Sequence, residues 1–370
     1  MDKLNTVTLS AGGHDFAGWK SVSIGAGLER QARDFTLGIT WRWPGSGDVP
    51  VRIRQGEAVE VRIGQELLLT GYVFSTPIRY DSESVTLSIT GRSRTADLVD
   101  CAAVNQPGQW RGQSVQKIIA ALAGEYGITV VNDAAVTLGV EDHTIEPGET
   151  AFESIDRLLT LSRLFSTDDG RGRLVIAKPG SAGRAVDALE LGKNLLSGET
   201  NLDFSNVFSE YVSKGQRSGT DTSFGAEASE VEGRITDARI NRRRVKVIQQ
   251  SGQMNASIAR ERVEWERANA VGKALTGNYV IQGWRQSNGA LWRHNMIVRV
   301  VDPLIGFDRD MLISEISYEL SEDGGTTAKI SVAPPEAFLP EPNDAYEKRK
   351  LKKGKKTDSF EYLIPADYKP

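Results

Sequence analysis

Val59-Glu60-Val61-Arg62-Ile63 alternates apolar and charged side chains, the period of a half-buried β-strand. A β-prone run at 67–80 follows, then the polar turn Asp81-Ser82-Glu83-Ser84, then a second alternating strand, Val85-Thr86-Leu87-Ser88-Ile89-Thr90. The same series returns near the other end of the chain. Strand 297–301 leads to a β-rich run at 311–320, an acidic turn and a strand at 328–332. Leu87-Ser88-Ile89 is matched there by Ile330-Ser331-Val332. Residue identity between the copies is low, so the order of elements carries the repeat. These stretches predict an α+β, mainly β fold with two similar β-barrel domains, the first spanning 1–95.

Between the copies the period changes. Val115, Ile118, Ile119, Leu122 and Tyr126 follow one helix face, with Ser114 as N-cap and Gly127 as the C-terminal stop, and a strand is expected at 128–131. Thr150-Ala151-Phe152-Glu153 has the form of a capping box and opens a second helix carrying Ile155, Leu158 and Leu159 inward. Asp168, Asp169 and Gly170 read as a hairpin turn before the strand Leu174-Val175-Ile176. Residues 96–182 are therefore expected to be an inserted small α/β domain. The second β-barrel domain is placed at 183–217 and 286–337, with its first strand at 204–215. The stretch 218–285 is read as an insertion, starting with a polar loop at 218–232. Its helix has Ile258, Trp265, Ala268 and Leu275 on one side and Arg260, Glu261, Glu264 and Arg267 on the other. Near the front, Phe35, Leu37, Ile39, Trp41 and Trp43 give one strand an aromatic and aliphatic face. After Pro334, Pro335 and Pro340 the chain becomes linker-like, and 338–370 reads as a basic C-terminal arm outside the core.

At 370 residues the chain is long enough for two to four domains, and its 25% charged and 39% hydrophobic content is ordinary for a globular protein. Its single cysteine, Cys101, excludes an internal disulfide and any cysteine-based metal cage. The polar start Met1-Asp2-Lys3 and the lack of a run of ~20 apolar residues predict a protein with no signal peptide and no membrane span, made in a cytoplasm.

Little in the chain suggests chemistry. His14 sits in the turn sequence Gly12-Gly13-His14-Asp15, and His294 sits in Leu291-Trp292-Arg293-His294-Asn295 ahead of a strand. His143 has Glu141, Asp142 and Glu146 nearby, but metal sites need more convergent ligands than this. Gly25-Ala26-Gly27 leads into a strand and so cannot offer helix amides to a phosphate. No nucleophile elbow, phosphate loop or zinc-protease motif is present. Neither enzymatic activity nor a cofactor or metal is expected.

Charge is unevenly spread. The formal net is −4, but Lys348, Arg349, Lys350, Lys352, Lys353, Lys355 and Lys356 place seven of the 45 basic residues in one short segment. The remainder has 38 basic against 49 acidic residues, a net of −11 that disfavours general nucleic-acid binding. Protein partners fit this pattern better. The basic arm and the second cluster, Arg242, Arg243 and Arg244, are the candidate partner-binding residues.

Several stretches resemble one family. Gly91-Arg92-Ser93-Arg94-Thr95-Ala96-Asp97-Leu98-Val99-Asp100 is similar to the junction closing the first barrel of phage tail hub proteins, and Tyr126-Gly127-Ile128 resembles the start of their inserted domain. The helix at 256–275, followed by Asn288-Gly289-Ala290-Leu291-Trp292 and strand 297–301, resembles their return into the second barrel. Where many relatives have a glycine before that strand this chain has Asn295, a residue that tolerates the left-handed conformation. The order over about 1–335 resembles the baseplate hub of Mu-like contractile phages, related to the T4-like hub and the first part of type VI secretion spikes. The resemblance implies tube-attachment barrels in a homotrimer whose six similar barrels join a threefold central spike to a sixfold tail tube. It also implies contact with wedge proteins, a virion location after assembly in the bacterial cytoplasm, and a channel passing DNA without specific recognition. It supplies no catalytic residues. The rival readings are a type VI spike hub component and a tail protein that binds or degrades cell wall.

Overall fold

The computed structural model of the chain describes residues 4–42, 53–82, 84–135, 137–216, 230–253, 256–339 and 341–342. Trp43, residues 218–229 of the polar loop and the basic segment 348–356 lie outside the described residues, as does the side chain of Trp41.

The first half begins with β1 (Val7–Ala11), β2 (His14–Phe16), β3 (Ser21–Gly27) and β4 (Asp34–Arg42). It continues with β5 (Ala58–Ile63), β6 (Glu66–Ser75), β7 (Ile78–Tyr80) and β8 (Ser84–Ser93). The alternation seen in sequence is the alternation of burial: Val59, Val61 and Ile63 of β5 are buried while Glu60 and Arg62 are half-buried. Antiparallel ladders join β2 to β1, β1 to β5, β5 to β6, β6 and β7 to β8, β8 to β4, and β4 to β3.

The inserted region contains α1 (Ala96–Asp100), β9 (Gln109–Ser114), α2 (Val115–Gly124), β10 (Val130–Asn132) and β11 (Gly139–Thr144). It ends with α3 (Ala151–Leu161), β12 (Phe165–Asp168) and β13 (Leu174–Ala177). The Ser114 hydroxyl caps α2 by accepting from the Lys117 amide at 3.3 Å, and Gly127 takes φ +65° just past its end. Thr150 and Glu153 form the full capping box of α3. Ile118, Ile119, Leu122, Ile155, Leu158 and Leu159 share a core with Leu98, Leu174 and Ile176.

The chain continues through β14 (Leu189–Glu190) and β15 (Leu195–Glu199), then β16 (Glu210–Gln216), β17 (Glu230–Thr236) and β18 (Val245–Gln253). α4 (Ala256–Ala274) precedes β19 (Gly277–Gln282), β20 (Ile297–Asp302), β21 (Phe307–Ser321) and β22 (Gly325–Ala333). β15 pairs with β19, β19 with β22, β22 with β21, β21 with β20, and β20 with β14. The two halves are joined because β21 also pairs antiparallel with β3, from Glu315 opposite Gly27 to Leu320 opposite Val22. The result is one 14-stranded sheet. Its core runs without interruption from Leu9, Leu37 and Leu69 to Trp284, Trp292 and Ile316. The mainly β expectation holds. The described ladders follow an open path, so each expected barrel is represented by its strands and shared core, not by a closed hydrogen-bonded ring.

The repeat is present, but its register differs from the sequence expectation. β6 carries a bulge between Val73 and Ser75 opposite Gly91 and Thr90, and β21 carries one between Ile313 and Glu315 opposite Val332 and Ser331. Matching these bulges makes Ile78 the counterpart of Tyr318, and Leu87 the counterpart of Ala328 instead of Ile330. A slip of two residues preserves which side chains face the core, so alternation alone could not detect it.

Two other elements differ from expectation. The strand expected at 204–215 forms as β16, but its ladders put it with β17 and β18 in a separate three-stranded sheet. α4 forms as expected, yet Ile258, Ala259, Val263, Val271, Gly272 and Ala274 are its buried residues, while Trp265 and Ala268 are half-buried. The helix is covered on two sides. Ala259 meets Gly233 of β17, while Gly272 and Asn269 meet Ala337 in the short 3-10 turn Pro335–Phe338. Two buried sides blur a one-sided pattern.

Ile316 is 1% exposed in β21, where the two halves meet. Ile316→Ala is expected to lower stability by about 2–5 kcal/mol, read as a lower denaturant midpoint with an unchanged slope.

Candidate assembly site

A densely hydrogen-bonded polar node lies at the meeting of the first half, the inserted region and the second half. Asp168 ends β12 with a side chain only 2% exposed, and Arg33 precedes β4 with a side chain 14% exposed. The Arg33 Nε–H donates to Asp168 Oδ1 at 2.9 Å, and its backbone N–H donates to Oδ2 at 3.1 Å. The rest of the guanidinium donates to the carbonyls of Asp168 at 3.0 Å and Leu68 at 2.8 Å. The Ser93 hydroxyl of β8 adds a third donor to the carboxylate at 2.5 Å. Beside it, the Thr95 hydroxyl donates to the carbonyl of Gln31, and Ser166 donates to the Gln31 side-chain oxygen. Burial pushes the Asp168 carboxyl up, opposed by the Arg33 guanidinium and the Ser93 hydroxyl.

Asp168 therefore corrects the turn reading: it is the last strand residue, and the turn runs from Asp169 through Gly170, with the Asp169 carboxylate accepting from the Arg171 and Arg173 amides. The second half reaches the node through His294, whose Nε2 lies 2.9 Å from the Thr167 hydroxyl. Asn295 next to it holds φ +63°, in keeping with the glycine that the resemblance puts at this place in relatives. A cavity of about 320 Å³ opens alongside, lined by Arg33, Glu66, Asp168, Arg293, His294 and Tyr318.

The histidines are structural in their surroundings. His14 is exposed and starts β2 after the turn at Gly12 and Gly13, both at positive φ. His143 is buried, with Nε2 2.9 Å from the Ser154 hydroxyl of α3. Its acidic neighbours are directed elsewhere: Glu146 to Arg157 at 2.6 Å, and Asp142 to Gln109 at 3.1 Å. Among the described residues no group of three or more His, Cys, Asp or Glu could hold a metal ion.

The structure separates the members of the basic cluster at 242–244. Arg242 and Arg243 are exposed on the loop between β17 and β18. Arg244 is half-buried and donates to the carbonyls of Phe204 at 3.2 Å and Ser205 at 2.5 Å, with its guanidinium 4.8 Å from the Phe208 ring centroid. Arg244 thus secures the approach to β16 and leaves Arg242 and Arg243 as its exposed neighbours. The arm residues Lys348, Arg349, Lys350, Lys352, Lys353, Lys355 and Lys356 lie outside the described residues. Sequence inspection missed the Arg33–Asp168 pair, because nothing local links residues this far apart.

A duplicated β scaffold joined at a buried ion pair, with Arg242 and Arg243 exposed at its surface, is the fold of a structural assembly protein. Its relatives are of this kind, and the chain belongs to the family of Mu-type phage baseplate hub proteins. It is 31% identical over 380 residues to the baseplate hub protein gp44 of Escherichia phage Mu, covering 98% of this chain and 96% of that protein. Residues 6–93 match the family model of the Mu phage baseplate assembly protein GpP-like N-terminal domain. Residues 95–178 match the second domain of baseplate hub protein gp44-like proteins, and 255–341 the fourth domain of GpP. Among solved structures, the 43 kDa tail protein of prophage MuSo2 from Shewanella oneidensis aligns with TM-score 0.80 at 31% identity, over 91% of this chain and 100% of that one. A tail protein from Neisseria meningitidis MC58 shares the fold at TM-score 0.74 and 22% identity, over 90% of this chain and 98% of that one. A type VI secretion component from E. coli shares it at TM-score 0.54 and 12% identity, over 90% and 79% of the two chains.

Asp168→Ala leaves the Arg33 guanidinium buried without its counter-ion. It is expected to cost about 3–5 kcal/mol, measurable by calorimetry, and to loosen the β12–β13 hairpin in hydrogen exchange.

Acid provides a second test. Burial pushes His294 down to about 3 and His143 down to about 4, helped by the nearby positive charges of Arg33 and Arg157 respectively. Both are neutral in the fold, and an unfolded histidine titrates near ~6.5. As pH falls below that value the unfolded chain binds protons that the folded chain refuses. Stability should then fall by up to about 1.4 kcal/mol per pH unit per histidine. His143→Gln is expected to remove one share of this slope between about pH 6 and pH 4, measured by denaturant titration at each pH.

Proposed function

We propose that three copies of this chain form the hub ring of a contractile-tail baseplate, a symmetry adaptor between a threefold central spike and a sixfold tail tube. The observation that carries this reading is the internal repeat: two β units with the same strand order and the same bulge, joined side by side through β3 and β21. One chain then supplies two similar attachment units, and a threefold ring supplies six. A purely threefold unit could not match a sixfold tube with equivalent contacts.

In this reading the partners are further copies of the chain, the tail tube protein, the central spike and baseplate wedge proteins. The protein resides in the virion after assembly in the host cytoplasm, and DNA passes through the ring during ejection without base-specific recognition. The role is structural and needs no catalysis. Its support lies in the relatives' character and in polar groups engaged in holding the fold. Exposed Arg242 and Arg243, with the arm at 348–356, are the proposed contacts to acidic surfaces of neighbouring baseplate proteins.

Light scattering on the purified chain tests the ring. With a subunit of 40.4 kDa, the expected species has a mass of about 120 kDa from closed threefold assembly; a monomer at every concentration would overturn it. Removing 343–370 is expected to leave that mass per subunit ratio unchanged and to reduce the yield of assembled tails. Unchanged yield would remove the arm from the interface.

A further inference from the structure

The β3–β21 junction inside the chain is a template for a second junction that the described residues leave open. In the 14-stranded sheet β3 pairs on one side with β4 and on the other with β21. Matching the ladders makes β15 the counterpart of β3, since β15 pairs with β19 as β3 pairs with β4. The run from Ser75 through β7 is likewise the counterpart of the part of β21 that receives β3. Among the described residues β15 pairs only with β19, and β7 only with β8. Among the described residues the molecule thus presents the two complementary edges of its own internal joint, one at the β15 end of the sheet and one at β7, which branches from β8.

We propose that the edge at β15 of one copy adds antiparallel to the edge at β7 of the next copy, in the register of the internal β3–β21 ladder. This rests on the ring reading above and specifies its contact. The internal register, Ser23 opposite Glu319 and Ile24 opposite Tyr318, places Glu199 opposite Arg79 and Thr200 opposite Ile78 between copies. Three features of the open edges fit.

The first is charge. Arg79 and Glu199 are both exposed and have no ion-pair partner among the described residues, and opposite charges directly across a ladder attract.

The second is apolar exposure. Ile78 and Leu202 are 45% and 42% exposed, although their counterparts Tyr318 and Ala26 at the internal joint are each 3% exposed. Both would lie on the face that the internal joint buries.

The third is backbone direction. Pro77 turns its carbonyl toward the Ser88 amide, so alternation turns the polar backbone of Ile78 to the open side, and the missing N–H of Pro77 faces β8. Pro77 therefore leaves the open edge able to pair.

The contact is heterologous, from the tail of one copy to the head of the next, and such contacts close into rings when the rotation permits. The internal joint would then be repeated between copies, giving six like joints around a trimer. The coil following β15 would extend that strand toward Leu202 when paired.

In this register Arg79 and Glu199 form a non-hydrogen-bonded pair, whose Cα atoms approach to about 4.5 Å, within reach of a disulfide. The test is therefore Arg79→Cys with Glu199→Cys in one full-length chain carrying Cys101→Ser, under mild oxidation. Covalent dimers and trimers joined through 79 and 199 are expected on a non-reducing gel, while either single-cysteine chain stays at monomer size. Independently, Arg79→Glu is expected to raise the concentration for half-assembly several-fold, and adding Glu199→Arg to restore it. A trimer by light scattering with neither cross-link nor charge rescue would overturn the edge pairing and leave the ring standing. A monomer throughout would overturn both.

Discussion

The buried pair of Arg33 and Asp168 is the constraint on which the arrangement of this molecule depends. Three segments distant in sequence converge there, and none of them can satisfy its polar groups alone. Arg33 brings the corner before β4, Asp168 the end of β12, and Ser93 the end of β8. Leu68 contributes its carbonyl from β6, and Thr167 links the node to His294 of the second half. A charge removed from water is costly unless its partners stand in the right places. The pair thus penalises any other placement of the inserted region against the sheet. Its value is orientation more than net stability, since a well-fitted apolar substitute at such a site is often as stable.

Orientation matters because the sheet is a continuous object. With β3 locked to β21, both halves share one core, and the second half takes its position from the first. A twist error at the joint would pass to the whole of the second half. The repeated bulge, between Val73 and Ser75 and again between Ile313 and Glu315, gives both copies a local bend at the same point. Two units bent alike can make like contacts, which is what quasi-equivalent assembly requires.

Sequence made the local physics legible. Ser114, Thr150 and Glu153 announced helix starts because capping acts within one turn, while the left-handed Asn295 was legible only through the resemblance, from relatives with glycine at that place. Alternation at Val59, Val61 and Ile63 revealed the strands and their repeat. It did not reveal the register, because a slip of two residues leaves every face unchanged. The faces of α4 were obscured by its burial on two sides. Asp168 was taken for a turn residue because its neighbours Asp169 and Gly170 do turn, and its partner Arg33 lies 135 residues away in the sequence. Of the candidate contacts, Arg242 and Arg243 are exposed as a surface role needs, while Arg244 is committed to Phe204, Ser205 and Phe208. Exposure is not written in a run of three arginines.

Electron cryo-microscopy of the assembled ring, reconstructed without imposed symmetry, addresses the central claim most directly. The account predicts six similar β units around the axis, with strand density running unbroken through the joints within and between chains. Three separate units with open sheet edges between them would contradict it.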